Sequence, residues 1–199
     1  MPRTEDANQV IREERRHQIL KSAAQVFARQ GYVGTRIEDI AAAADSSKGL
    51  LYHYFAGKEE VFNTLIAMIE AGVRHLFEEA QRLDASPGER LRWLIEREVL
   101  GFEQQAQMFP VVLQALVSDS VPDEARDLAL GMGRRSQVVM REWIAAGQQS
   151  GEIIEGDPDQ LALLLITCIN GLAVTAAMSL PSGPSAVESL MRLLLRPSQ

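Results

Sequence analysis

Cysteine is almost missing: Cys168 is the only one in 199 residues. A disulfide framework within the chain is therefore excluded, and a reducing compartment suits it. Histidine is nearly as scarce, and His17, His53 and His75 share no metal-ligand spacing such as HExxH. No metal site is expected. The chain has no GxSxG, P-loop or GxGxxG segment, and GMGRR at Gly131 lacks a preceding strand. Glu96, Glu98 and Glu103 are close in sequence, but a helix surface explains them better than paired-carboxylate chemistry. We expect no catalytic residue, no cofactor and no enzyme. MPRTEDANQVIREERR carries charges but no apolar core, so no signal peptide is expected and the cytoplasm is the natural location. A basic excess is absent as well. The net charge of −7 argues, taken whole, against nucleic acid.

Charge is unevenly placed. Met1 to Glu60 holds nine Lys and Arg against nine Asp and Glu, so the whole deficit falls in the remainder. Between Ser46 and Lys58 there are two lysines and no acid. Hydrophobic residues make up 46% and charged residues 24%, ordinary for a globular protein able to bury a good core. No segment of useful length alternates with a period of two, and no repeat is evident. Apolar residues recur instead at helical spacing. The chain reads as all-α, about nine helices.

The first helix places Ile19, Leu20, Ala23, Ala24 and Phe27 on one side and stops at Gly31. Residues before about Val10 read as a loose arm. Arg3, Arg12, Arg15 and Arg16 are open to either of two readings, phosphate contact or a solvated helix start. Thr35 with Glu38 spells a capping box opening a second helix, whose stripe is Ile37, Ile40, Ala41 and Ala44. Asp45 and Ser46 break it, and Ser47 can cap a third helix. On that third helix Leu51 and Phe55 share one side, while Lys48, Gly49, Tyr52 and His53 cluster opposite. Helix, tight turn and short exposed helix make a helix-turn-helix, with the second helix sized for a major groove.

IEDIAAAADSSKGLLYHYFAGKEEVF resembles the DNA-binding signature of the TetR family of bacterial regulators. Ile40, Ala41, Ala44, Ser47, Gly49, Leu51, Tyr52, Phe55 and Lys58 carry the match, together with Gly31-Tyr32 and Thr35. Asp45 and Ser46 stand where the family often has Gly-Val, and Tyr54 replaces a frequent His. Asp tolerates left-handed backbone, so the turn is expected to survive. The expected DNA contacts are Thr35, Arg36, Ser46, Ser47, Lys48, Gly49, Leu50, Tyr52, His53 and Lys58. For Lys58, at the start of the fourth helix, the residues alone allow a solvated charge beside Glu59 or Glu60. The resemblance implies a phosphate contact.

Asp84 to Gly88 is the clearest break, followed by the Ser86-Pro87-Gly88-Glu89 capping box. We expect a helix-turn-helix domain over residues 1–60 and a ligand-binding and dimerisation domain over 61–199. Leu161 to Leu180 has no formal charge and is long enough to span a membrane. Its Thr and Asn residues and its unclustered flanks favour burial, so no membrane is expected. That helix (161–180) and the last (185–195) read as a dimer interface, which matches the bundle that the resemblance implies. A small-molecule effector is expected chiefly from the resemblance. Trp93, Phe102, Met108, Phe109, Met140 and Trp143, with Met132, are bulky enough to line a cavity, and Thr167 and Asn170 could anchor a ligand. Periodicity cannot tell such a wall from a filled core. The resemblance implies a homodimeric, ligand-responsive repressor on palindromic operator DNA. The rival reading is a helical ligand-binding or scaffold protein without an operator.

Overall fold

The computed structural model describes residues 5–180 and 183–196. Among the described residues there are nine helices: α1 Glu5–Gly34, α2 Ile37–Ala43, α3 Lys48–Tyr54, α4 Lys58–Arg82, α5 Pro87–Gln104, α6 Met108–Val117, α7 Asp123–Gln149, α8 Pro158–Ala177 and α9 Gly183–Leu194. An isolated antiparallel bridge, Ile153 with Leu195, is the nearest thing to a sheet. The all-α expectation holds. The loose N-terminal arm does not: α1 is already helical at Glu5. Arg3 lies outside the described residues, as does Pro197.

The chain divides into two compact units. One unit takes the chain up to Ile69 together with Val111–Leu128. Its core gathers Ile19, Ala23 and Phe27 of α1, Ile40 of α2, Leu51 of α3, and Phe62, Leu65 and Ile66 of α4. The Phe62 ring meets Phe27 and Tyr32 edge-on, each at 5.0 Å between centroids. Gly31 breaks α1 with φ 72° and ψ 166°, left-handed backbone that favours glycine. Two local signals differ from expectation. The capping box of α2 is not Thr35 with Glu38; the helix starts one residue later, and Asp39 Oδ2 accepts from Arg36 N at 2.9 Å. Asp45 in the turn takes φ 46°, as its tolerance of left-handed backbone allows.

The second unit comprises Glu70–Pro110 and the chain from Ala129 onward. The Ser86 box opens α5 as expected: Ser86 Oγ accepts from Glu89 N, and Glu89 Oε2 accepts from Ser86 N at 2.8 Å. The inner faces of α5, α8 and α9 meet through Leu91, Leu94, Ile95, Leu165, Ile169, Val187 and Met191, joined by Phe77, Met140 and Trp143. Of the described helices, α8 alone is long and apolar enough to cross a membrane. Its Ala162, Leu165, Ile169 and Ala173 are buried on one side. Leu163, Leu164, Val174 and Met178 are bare on the other.

Candidate nucleic-acid interface

Seven residues suffice for α3 because Ser47 caps it, its Oγ accepting from Leu50 N at 3.1 Å. Leu51 (0% exposed) and Phe55 (1%) drop into the core, whereas Tyr52 is 48% exposed. Lys48, Gly49 and His53 are exposed as well, so the face expected from the wheel is the face that solvent meets. Leu50 is 40% exposed at its flank. His53 stands edge-on to Tyr54 at 5.4 Å. A Cβ on Gly49 would meet nothing closer than Ser47 Oγ at 4.0 Å. Nothing inside the chain requires a glycine there.

The cations of this unit divide into two sets. Lys48 Nζ pairs with Glu38 and lies 5.9 Å from the Tyr52 ring centre. Their hydrogen bond holds the Glu38 carboxyl below its ordinary value and the Lys48 ammonium above. Both groups are exposed, so the pair is exchangeable rather than locked. Arg36 is exposed beside Glu38 at the start of α2. Lys58, by contrast, points inward. Its Nζ donates to Tyr32 O at 2.9 Å and Thr35 O at 3.0 Å, and sits 4.6 Å from the Tyr32 ring centre. The expected phosphate role for Lys58 is therefore revised: the ammonium serves carbonyls exposed by the break in α1. Thr35 is revised likewise, being 1% exposed with its hydroxyl donating to Gly31 O at 2.7 Å. Ser46 is half-buried and its Oγ has no hydrogen-bond partner. Arg15 caps the end of α2, donating to Ala44 O and Asp45 O at 3.1 and 3.0 Å. Arg16 lies over Phe55, 4.8 Å from its ring centre.

In the second unit none of the eight expected ligand residues lines the α4–α7 groove or the groove beside Arg92 and Glu188. Met140 and Trp143 belong to the core. Trp143 stacks on Phe77 at 5.9 Å and donates its indole N–H to Gln81 Oε1 at 2.9 Å. Phe102 and Phe109 meet at 6.3 Å, and with Trp93 and Met108 they are half-buried. Thr167 and Asn170 face outward on α8, Thr167 donating back to Leu163 O. A groove of about 490 Å³ runs elsewhere, between α4 and α7. Val73, Phe77, Met132 and Val139 give it apolar lining, and Arg74, Arg82 and Arg135 line it together with Glu70, Glu78 and Glu142, the arginines paired with Glu70 and Glu78.

Residues 19–65 match the model of the bacterial regulatory proteins of the tetR family, and residues 84–174 match a tetracyclin repressor-like C-terminal domain. The chain belongs to the TetR family. The HTH-type transcriptional repressor NicS of Pseudomonas putida is 40% identical over 81 residues, 40% of this chain and 38% of NicS. The chain thus spans well under half the length of that relative. The structure of the TetR-family regulator PfmR from Thermus thermophilus is 26% identical, with a TM-score of 0.75 over 91% of this chain and 98% of PfmR. AibR, solved with isovaleryl coenzyme A and operator DNA, shares the fold at 20% identity, with a TM-score of 0.75 over 92% of this chain and all of AibR's.

Two residues outside the expected set matter to the packing, one silent in the sequence and one not. Gln114 of α6 bridges the break in α1: its Oε1 accepts from Tyr32 N and its Nε2 donates to Phe27 O, both at 2.9 Å. No local pattern announces a contact over more than eighty residues. Glu98 left a trace, since Leu94, Glu98 and Phe102 fall four apart on the apolar stripe of α5. It is no surface acid. Its Oε2 is sealed from solvent without a hydrogen-bond partner, and desolvation lifts its carboxyl to about 7.

Proposed function

We propose that this TetR-family chain is a cytoplasmic, homodimeric, ligand-responsive transcriptional repressor. Each subunit sets α3 into a major groove of a near-palindromic operator. The observation that carries this is the division of α3, with Leu51 and Phe55 buried and Gly49, Tyr52 and His53 in solvent. Seven residues span about 10 Å, a length that fits the groove. Gly49 lets backbone approach a base edge, and Lys48 can leave Glu38 for a guanine or a phosphate. Tyr52 and His53 offer polar tips to the duplex, and Leu50 an apolar contact for a thymine methyl. Arg36 and the Ser46–Ser47 turn hold the backbone in register. Thr35 and Lys58 act from beneath, by holding the end of α1 against α4.

We assign DNA binding to residues 1–60 and effector binding with dimerisation to 61–199. The bare face of α8, continued by Leu193 on α9, is the surface we assign to the second subunit. The α4–α7 groove is the first place for an effector, because its apolar lining and its paired Arg and Glu side chains suit an amphipathic molecule. Isovaleryl coenzyme A on AibR illustrates such a ligand in a protein of the same fold. Binding that differs between two dimer arrangements, by about 1–3 kcal/mol, is enough to release the operator. The test is a fluorescence anisotropy titration of the chain's own upstream DNA. Salt-dependent binding, weakened at least tenfold by Tyr52→Ala with the fold intact, is expected. Equal affinity for the variant would remove α3 from the interface.

A further inference from the structure

Glu38 is an acid set among the groups assigned to the duplex, with Arg36 two residues before it and Lys48 across from it on α3. It has no capping task, since Asp39 closes the box at the start of α2. Its carboxylate accepts from Lys48 Nζ, and both side chains are about half in solvent. A pair so exposed adds little to the fold. On a surface that meets a polyanion, a carboxylate with nothing to bind would only repel.

The chemistry of the major groove gives that carboxylate a partner. Phosphate oxygens, guanine N7 and O6, adenine N7 and thymine O4 are all acceptors. A carboxylate can therefore bind only the exocyclic amines of cytosine and adenine. Lys48 is a donor alone and needs the opposite. Its ammonium has three N–H groups, so it can keep Glu38 on one and offer the others to guanine N7 and O6. Cytosine N4 lies next to guanine O6 on the edge of the same pair. Acceptor and donor side by side on the protein thus meet donor and acceptor side by side on a C·G pair. An A·T pair gives the ammonium a single acceptor on either side of adenine N6, and on one side the thymine methyl crowds it.

We propose that Glu38 and Lys48 read one C·G base pair in each half-site as a unit, Glu38 accepting from cytosine N4 and Lys48 donating to guanine. Glu38 is thereby a specificity-determining residue outside the reading helix, and this rests on α3 lying in the major groove of an operator.

The test is binding-site selection from a randomised duplex library at one salt concentration, with full-length wild type, Glu38→Ala, Glu38→Gln and Lys48→Met. Wild type should enrich a fixed C·G pair at matched places in the two half-sites. Glu38→Ala and Lys48→Met should each lose about tenfold of the preference at that pair and keep it elsewhere. Glu38→Gln, whose amide oxygen still accepts, should hold the cytosine. In an enriched duplex, replacing that cytosine by 2-pyrimidinone, which lacks the N4 amine, should weaken wild type about tenfold and Glu38→Ala hardly at all. The Tm of Glu38→Ala should match that of wild type, because the side chain is exposed. Selection of the wild-type sequence by Glu38→Ala, relaxation of different pairs by the two variants, or equal loss of both proteins with 2-pyrimidinone would each overturn the shared reading. A uniform gain for every sequence in Glu38→Ala would make Glu38 a mere cover for Lys48 and overturn it too. Absence of any enriched duplex with wild type would sink operator binding itself, whereas enrichment without a Glu38-dependent pair sinks the C·G assignment alone.

Discussion

Helices α3 and α8 share a design and differ in what they leave outside. Each buries one apolar stripe: Leu51 with the cap residue Phe55 for α3, and Ala162, Leu165, Ile169 and Ala173 for α8. The outer face of α3 holds Lys48, Gly49, Tyr52 and His53, small or polar-tipped groups that water tolerates. The outer face of α8 holds Leu163, Leu164 (59% exposed), Val174 and Met178, with no charge to keep it apart from another such face. A polar, acid-free helix face suits a hydrated polyanion, and a bare leucine-rich one suits a second protein surface. The chemistry of the uncovered side therefore distinguishes the partner, even though both helices pack inward by the same rule.

The comparison can be broken at either helix, and the largest effect is expected on α8. Leu163→Glu with Leu164→Glu should convert the dimer to monomer at micromolar concentration in analytical ultracentrifugation. Operator affinity should fall by about a hundredfold or more, since two half-sites are no longer joined. A dimer that survives both charges would place the interface elsewhere. Next comes Gly49→Leu on α3. The position is open within the chain, so stability should stay within about 1 kcal/mol. Specific binding should drop by about 2–3 kcal/mol in anisotropy, because a side chain now fills the approach to the bases.

Smaller effects test the interiors behind the two faces. For Glu98, the folded carboxyl titrates near 7 against an ordinary 4.5. Between those values the unfolded chain releases a proton that the folded chain keeps, so stability falls as pH rises from about 4.5 to 7, by at most about 3 kcal/mol. Denaturant unfolding at both pH values should show that fall in the wild type and a flatter response in Glu98→Gln. Identical slopes would contradict the burial. Gln114→Ala removes two hydrogen bonds at the α1 break and should cost about 1–3 kcal/mol, read as a lower Tm. The smallest change is expected for Glu38→Gln. Freeing Lys48 should raise affinity for all sequences slightly, by less than the other variants change it, and steepen the salt dependence.

Legibility followed the range of the interaction. Helical periodicity, the Ser47 and Ser86 caps and the inward turn of Leu51 and Phe55 are local, and each could be read from a few neighbouring residues. The roles of Lys58 and Thr35 could not. Both sit in a motif, but Lys58 bends back to Tyr32 O and Thr35 to Gly31 O, contacts set by how α1 meets α4. Arg15 reaches Ala44 O across nearly thirty residues, and nothing around Arg15 signals it. In the second unit, bulk alone misled. Met140 and Trp143 fill the core, and of the bulky residues singled out only Met132 lines the α4–α7 groove. Glu98 was visible as an acid on an apolar stripe, but only burial reveals that nothing answers it.

Dimethyl sulfate interference on the chain's upstream DNA tests the central claim most directly, because it reads guanine N7 in the major groove. Two symmetric clusters of interfering guanines are expected, about one helical turn or a multiple of it apart, and lost with Gly49→Leu. Interference confined to the minor groove, or a pattern that Gly49→Leu leaves unchanged, would contradict α3 as the reading helix.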